Sequence, residues 1–96
     1  MIGKLHNNIG NKVFACCDKE LINTIIKHKE LEVNISSSFF GSDILTEEEI
    51  INFINECDSA NIFGKKICDL LLSKNIIINK QIILINKIPH TQIYKL

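Results

Sequence analysis

Hydrophobic and polar positions change period several times along this chain, and each change marks an element. Residues 2–6 and 12–16 flank the turn-rich stretch Asn7-Asn8-Ile9-Gly10-Asn11. This pattern predicts a hairpin with a loop somewhat longer than the tightest kind. Asp18 then offers an N-cap, and Leu21, Ile22, Ile25 and Ile26 share one helical face, which predicts a helix running to Lys29. The alternation of Leu, Glu, Val, Asn and Ile across Leu31–Ile35 reads as a half-buried strand. Phe39-Phe40-Gly41-Ser42 reads as a loop or short extended piece whose aromatics fill a core edge.

The clearest element follows. Thr46 with Glu49 three residues on forms a capping box, and Glu47, Glu48 and Glu49 suit the positive end of a helix. Ile50, Phe53, Ile54 and Cys57 then keep the i, i+3, i+4, i+7 spacing of one buried face. A second helix is predicted over residues 61–74, with Asn61 at its start, Ile67, Leu70 and Leu71 inward and Asn75 as C-cap. Gly64 falls inside its first turns, where it costs about 1 kcal/mol against Ala. Residues 81–85 read as a buried strand that Pro89 breaks, and residues 91–94 as a last short edge strand. Strands first, two helices later and strands at the end predict a single α+β domain, a two-layer sandwich with an N-terminal hairpin.

Composition changes this picture little. The 96 residues include 20 Ile, 11 Asn and 11 Lys, all with AT-rich codons, so the Asn and Lys content is not read as a prion-like tract or as selected basicity. There is no Arg, which closes bidentate contacts to guanine edges, phosphates or carboxylates and argues against tight duplex recognition. The formal net charge is zero but unevenly spread. Residues 1–29 hold five Lys against Asp18 and Glu20, residues 30–60 hold eight acids and no base, and residues 61–96 hold six Lys against Asp69. If the two ends of the chain share a face, that face is basic. No apolar run is long enough to span a membrane, and residues 1–13 lack the pattern of a secretory signal. A cytoplasmic location is expected. Cys16, Cys17, Cys57 and Cys68 form no C-x-x-C pair, so free thiols are expected rather than disulfides or a zinc framework.

Cys17-Asp18-x-Glu20-Leu21, Phe39-Phe40-Gly41, Ala60-Asn61-x-x-Gly64 and Pro89-His90-x-Gln92 come in a familiar order. With an initial strand carrying His6 and an acidic helix start, the chain resembles the archaeal domain-of-unknown-function family numbered 424 over essentially its whole length. That family usually has Gly where this chain has Asn23, and a second Gly where it has Ser42. Asn tolerates the left-handed region, so Asn23 can end the helix drawn through to Lys29. The resemblance implies an archaeal cytosolic α+β protein and brings no activity with it.

Several residue groups can carry chemistry. A thiol at a strand end just before a helix start, as at Cys17-Asp18, can become a nucleophile if His90 or His6 supplies an imidazole; otherwise one of Cys16 and Cys17 is a small core residue and Asp18 only a cap. Cys17, Asp18, His6 and His90 are acceptable zinc ligands, but they share no chelating pair, and neither metal nor cofactor is expected. His28, between Lys27 and Lys29, reads as solvated. Asn61 and Gly64 with Lys65 and Lys66 invite an anion-site reading at a helix start, although the Gly-Lys-Ser/Thr of a P-loop is absent. Pro89-His90-x-Gln92 is a rigid turn that presents polar side chains. The leading expectation is a small module that binds RNA or a ribonucleoprotein through Asn61, Gly64, Lys65, Lys66, His90 and Gln92, with Lys87 adding charge. The alternative is a cysteine- or metal-dependent site on Cys17, Asp18 and His90. A third reading is an assembly protein with an apolar edge.

Overall fold

The structure is a computed structural model, and it describes residues 1–95. Strands β1 (Ile2–Asn8) and β2 (Asn11–Cys17) form the expected hairpin. Asn8 pairs with Asn11, so the loop is only Ile9-Gly10, tighter than predicted. Gly10, at φ +73°, supplies the left-handed residue that so short a connection needs.

The next segment departs from the predicted helix. One 3-10 turn, Lys19–Leu21, leads into β3 (Thr24–His28), which pairs antiparallel with β4 (Leu31–Ile35). Asn23 at φ +62° turns the chain, and beyond it the Ile pair obeys period two: Ile25 is 53% exposed and Ile26 5%. Thr24, Ile25 and Ile26 are β-branched and suit a pleated surface, so the run fits strand as well as helix. Phe39 and Phe40 belong to a four-residue helix, α1 (Ser37–Phe40), with Phe40 buried at the core edge.

Helix α2 (Glu47–Glu56) carries the predicted box: Glu49 N–H donates to Thr46 Oγ1 at 3.1 Å, and Thr46 N–H to Glu49 Oε1 at 2.9 Å. Its other end is closed by Lys95, whose ammonium donates to the carbonyls of Ile54 and Asn55. The second predicted helix starts later than expected. Residues Ser59–Phe63 are strand β5, and α3 covers Lys65–Ser73 with Gly64 as its N-cap. Gly64 at φ +126° cannot continue a helix backwards, so Asn61 lies in the sheet. Asn75 follows α3 at φ +59°, as a C-terminal stop should.

At the C-terminus, residues 81–85 are not a buried strand. A 3-10 turn (Asn79–Gln81) precedes β6 (Ile83–Ile85), a sheet-edge strand in which Ile83 is 57% exposed. The break is the Asn86-Lys87 turn, at φ +48° and +67°, rather than Pro89, which lies inside β7 (Ile88–Tyr94). The predicted strand over residues 91–94 is the far end of β7, past the end of β6.

The five-stranded sheet runs β1-β2-β5-β7-β6, with only the β2–β5 pair parallel. Helices α2 and α3 cover one face through Phe14, Cys16, Ile50, Ile54, Ile62, Ile67 and Leu71. This is the expected helix-on-sheet sandwich. The β3–β4 hairpin and α1 cover part of the other face, where Ala15, Cys17, Phe63 and Ile85 meet Ile26, Ile35 and Phe40.

Asn23 holds this second layer: its N–H donates to Ile35 O and its Oδ1 accepts from Ser37 N–H. Asn23→Ala is therefore expected to cost about 2 kcal/mol, from left-handed strain and one lost hydrogen bond. Asn23→Gly, which keeps the backbone freedom, should cost less than about 1 kcal/mol. Equal costs in urea unfolding would show that φ is not what selects the residue.

Candidate functional site

Strands β2 and β5 end side by side, and this places Asp18 next to Gly64. Asp18 N–H donates to Phe63 O at 3.0 Å, which extends the ladder by one bond. The carboxylate then crosses to the start of α3, where Oδ2 accepts from Lys66 N–H and Oδ1 from Ile67 N–H, both at 2.9 Å. It is buried, and a Cβ on Gly64 would stand 2.3 Å from its Cγ. Asp18 thus caps a helix 48 residues away, and its side chain does not cap the turn that follows it. The helix terminus proposed as a phosphate site already holds an anion, the chain's own. Lys65 is also engaged, donating to Asp69 at 2.7 Å, and that bond raises its pKa.

The cysteine reading fares no better. Among the described residues all four thiols are free and buried. Desolvation, aided by the Asp18 charge, pushes Cys17 up to about 11; burial likewise takes Cys16 to about 12 and Cys68 to about 11. A thiol held that high is protonated at neutral pH and is a poor nucleophile. Cys17, Phe63 and His90 lie in one row across β2, β5 and β7, so Cys17 and His90 are separated by two strand spacings, about 10 Å. The Phe63 ring lies between them and stacks on His90 with centroids 4.0 Å apart. The His90 Nδ1–H donates to Ile62 O at 2.8 Å, and burial lowers the imidazole pKa. His6 is far along β1, stacked on Phe39 and bonded through Nε2 to Phe39 O. His28, expected to be solvated, is half-buried and accepts at Nδ1 from Asn86 N–H, tying β3 to the β6–β7 turn. No three His, Cys, Asp or Glu side chains are gathered to hold a metal ion among the described residues.

The remaining candidates divide between two surfaces. Gly64 and Lys65 line a cleft together with Asp18, Lys87 and Pro89, and Gly64 N–H donates to Pro89 O at its base. Asn61 and Gln92 instead project from the hairpin-side face of the sheet, on the half that the hairpin leaves open, while His90, on the same face, is buried against Phe63. There Gln92 Nε2 donates to Asn61 Oδ1 at 2.9 Å, which leaves Asn61 Nδ2 as a donor and Gln92 Oε1 as an acceptor without a partner among the described residues. Tyr94 extends the row and is 71% exposed. Sequence reasoning missed Tyr94 as a site residue, although it keeps the i, i+2, i+4 spacing with Gln92 and His90.

A family model described as "Protein of unknown function (DUF424)" matches residues 6–96. The chain belongs to this family. Nothing among curated proteins matches it. The crystal structure of an uncharacterized conserved protein from Methanopyrus kandleri matches with a TM-score of 0.84 at 21% identity, covering 99% of this chain and 90% of that one. At that identity the likeness shows that the DUF424 chain and the archaeal protein share a fold. No helix among the described residues is long and apolar enough to cross a membrane.

Two outcomes follow from this geometry. In the DUF424 chain Gly64→Ala should cost about 3 kcal/mol or more, because the new methyl meets the Asp18 carboxyl. In an Asp18→Ala background the same change should cost only its backbone strain, about 1–2 kcal/mol. A double-mutant cycle by chemical unfolding measures the difference, and strict additivity would refute the packing argument. The second outcome concerns pH. A lowered His90 pKa means that the unfolded chain takes up the proton first. This contribution to stability is complete above about 6.5, the unfolded value, and is lost as pH falls toward the folded value. His90→Phe, which keeps the stack on Phe63, should flatten the melting-temperature profile below pH 6.5.

Proposed function

We propose that this protein is a non-catalytic RNA-binding module and that it reads single-stranded RNA on the open half of its sheet. The observation that carries this reading is the row Asn61, Gln92, Tyr94 and His90. The paired amides leave a donor beside an acceptor, the complement of a base edge, and the exposed Tyr94 ring offers a stacking surface next to them. His90, its Nδ1–H bonded to Ile62 O and its ring stacked on Phe63, supports the row from beneath. Single-strand recognition of this kind rests on stacking and amide contacts, so a chain without Arg is not at a disadvantage. The lysines of α3 begin on the opposite side of the sheet and contribute only general charge. Four unpaired thiols fit a reducing, cytoplasmic compartment.

The test is binding of a labelled, unstructured RNA oligomer across a salt series. Tyr94→Ala should weaken binding by roughly tenfold, as expected for one lost base stack. Asn61→Ala should change the preference among bases more than the salt slope. Lys65→Glu with Lys66→Glu should make the slope slightly shallower and leave base preference alone. Absence of binding at low salt, or a variant ranking led by the lysines, overturns the sheet-face reading.

A further inference from the structure

The cleft beside Gly64 supports a second site, independent of the sheet face. It encloses about 500 Å³, within the range of small-molecule sites, between the Lys19–Leu21 turn, the outer side of α3 and the β6–β7 turn. Its floor is apolar and half-buried: Leu21, Leu72, Ile82, Ile88 and Pro89. Four charged side chains besides Asp18 line it, and Lys65 and Asp69 neutralise each other. Glu20 and Lys87 enter the same cleft with no ion-pair partner among the described residues. The Asp18 oxygens accept from the helix N–H groups, and Asp18 forms no ion pair with Lys87 among the described residues.

An apolar floor flanked by one free acid and one free base is complementary to a small molecule built the same way. We propose that this cleft binds a free α-amino acid with an aliphatic side chain, the ammonium toward Glu20, the carboxylate toward Lys87 and the side chain on Leu72, Ile82 and Ile88. A phosphate ligand fits less well, because Asp18, Glu20 and Asp69 put three carboxylates around the cavity. A purely apolar ligand leaves both charges unused.

The experiment is an NMR titration of the intact protein with leucine, 4-methylpentanoate and isoamylamine, the last two lacking the ammonium and the carboxylate respectively. Leucine should shift the amide signals of Leu21, Leu72 and Ile88, and each one-charge analogue should bind roughly fivefold to tenfold more weakly. Lys87→Gln should weaken leucine by a similar factor and leave isoamylamine unchanged, while Glu20→Gln should weaken leucine and leave 4-methylpentanoate unchanged. Both residues are exposed, and an unchanged spectrum away from the cleft confirms that each variant is folded. No leucine-induced shift, or equal binding of all three compounds, overturns the proposal. Neither result bears on RNA binding, which uses Asn61, Gln92 and Tyr94, none of which lines this cleft.

Discussion

The Asp18 carboxylate seated on the first turn of α3 fixes how three parts of the chain meet. Its backbone extends the β2–β5 ladder, its side chain satisfies two helix N–H groups, and its bulk forbids any side chain at position 64. A buried, unpaired carboxylate costs several kcal/mol. Here two charge-assisted hydrogen bonds and the helix dipole offset that cost, so the group is at once a cap and a clamp. Gly64 is the other half of the device. Without a Cβ it lets the carboxyl pass, and its positive φ turns the chain from strand into helix within one residue.

The clamp decides which chemistry the molecule can host. An occupied helix terminus does not take a phosphate, and the Asp18 charge pushes the pKa values of Cys17 and Cys68 further up, away from reactivity. The residues that survive as candidates are those whose polar atoms are not consumed by the fold. These are the free ends of the Asn61–Gln92 pair, the Tyr94 ring, and the charges of Glu20 and Lys87. They lie on two separate surfaces, so the single cluster suggested by chain order is two in space.

What could be read from the chain alone divides along the range of the interactions. The capping box at Thr46, the stripe of Ile50, Ile54 and Cys57, and the alternation over Leu31–Ile35 are local, and they held. The β3 segment failed because Leu21, Ile22, Ile25 and Ile26 satisfy both periods in a chain with 20 Ile, and only the φ of Asn23 decides between them. The run over residues 81–85 looked buried for the same compositional reason, yet it is an exposed edge. Asp18 was legible as a cap but not as the cap of α3, since nothing local links residues separated by 48 positions.

The charge pattern shows how far a net balance misleads. The two Lys-rich ends of the chain do meet in one sheet, as a shared basic face requires, yet two of their lysines are committed within the fold. Lys65 is held by Asp69, and Lys95 is spent on the carbonyl end of α2. The acids of the middle third crowd the opposite, N–H end of that same helix, at Glu47, Glu48 and Glu49. Part of the segregation seen along the chain therefore serves one helix dipole. The two proposed sites act at contact range, through ring faces, amide edges and single charges. These are the groups that the fold leaves unsatisfied.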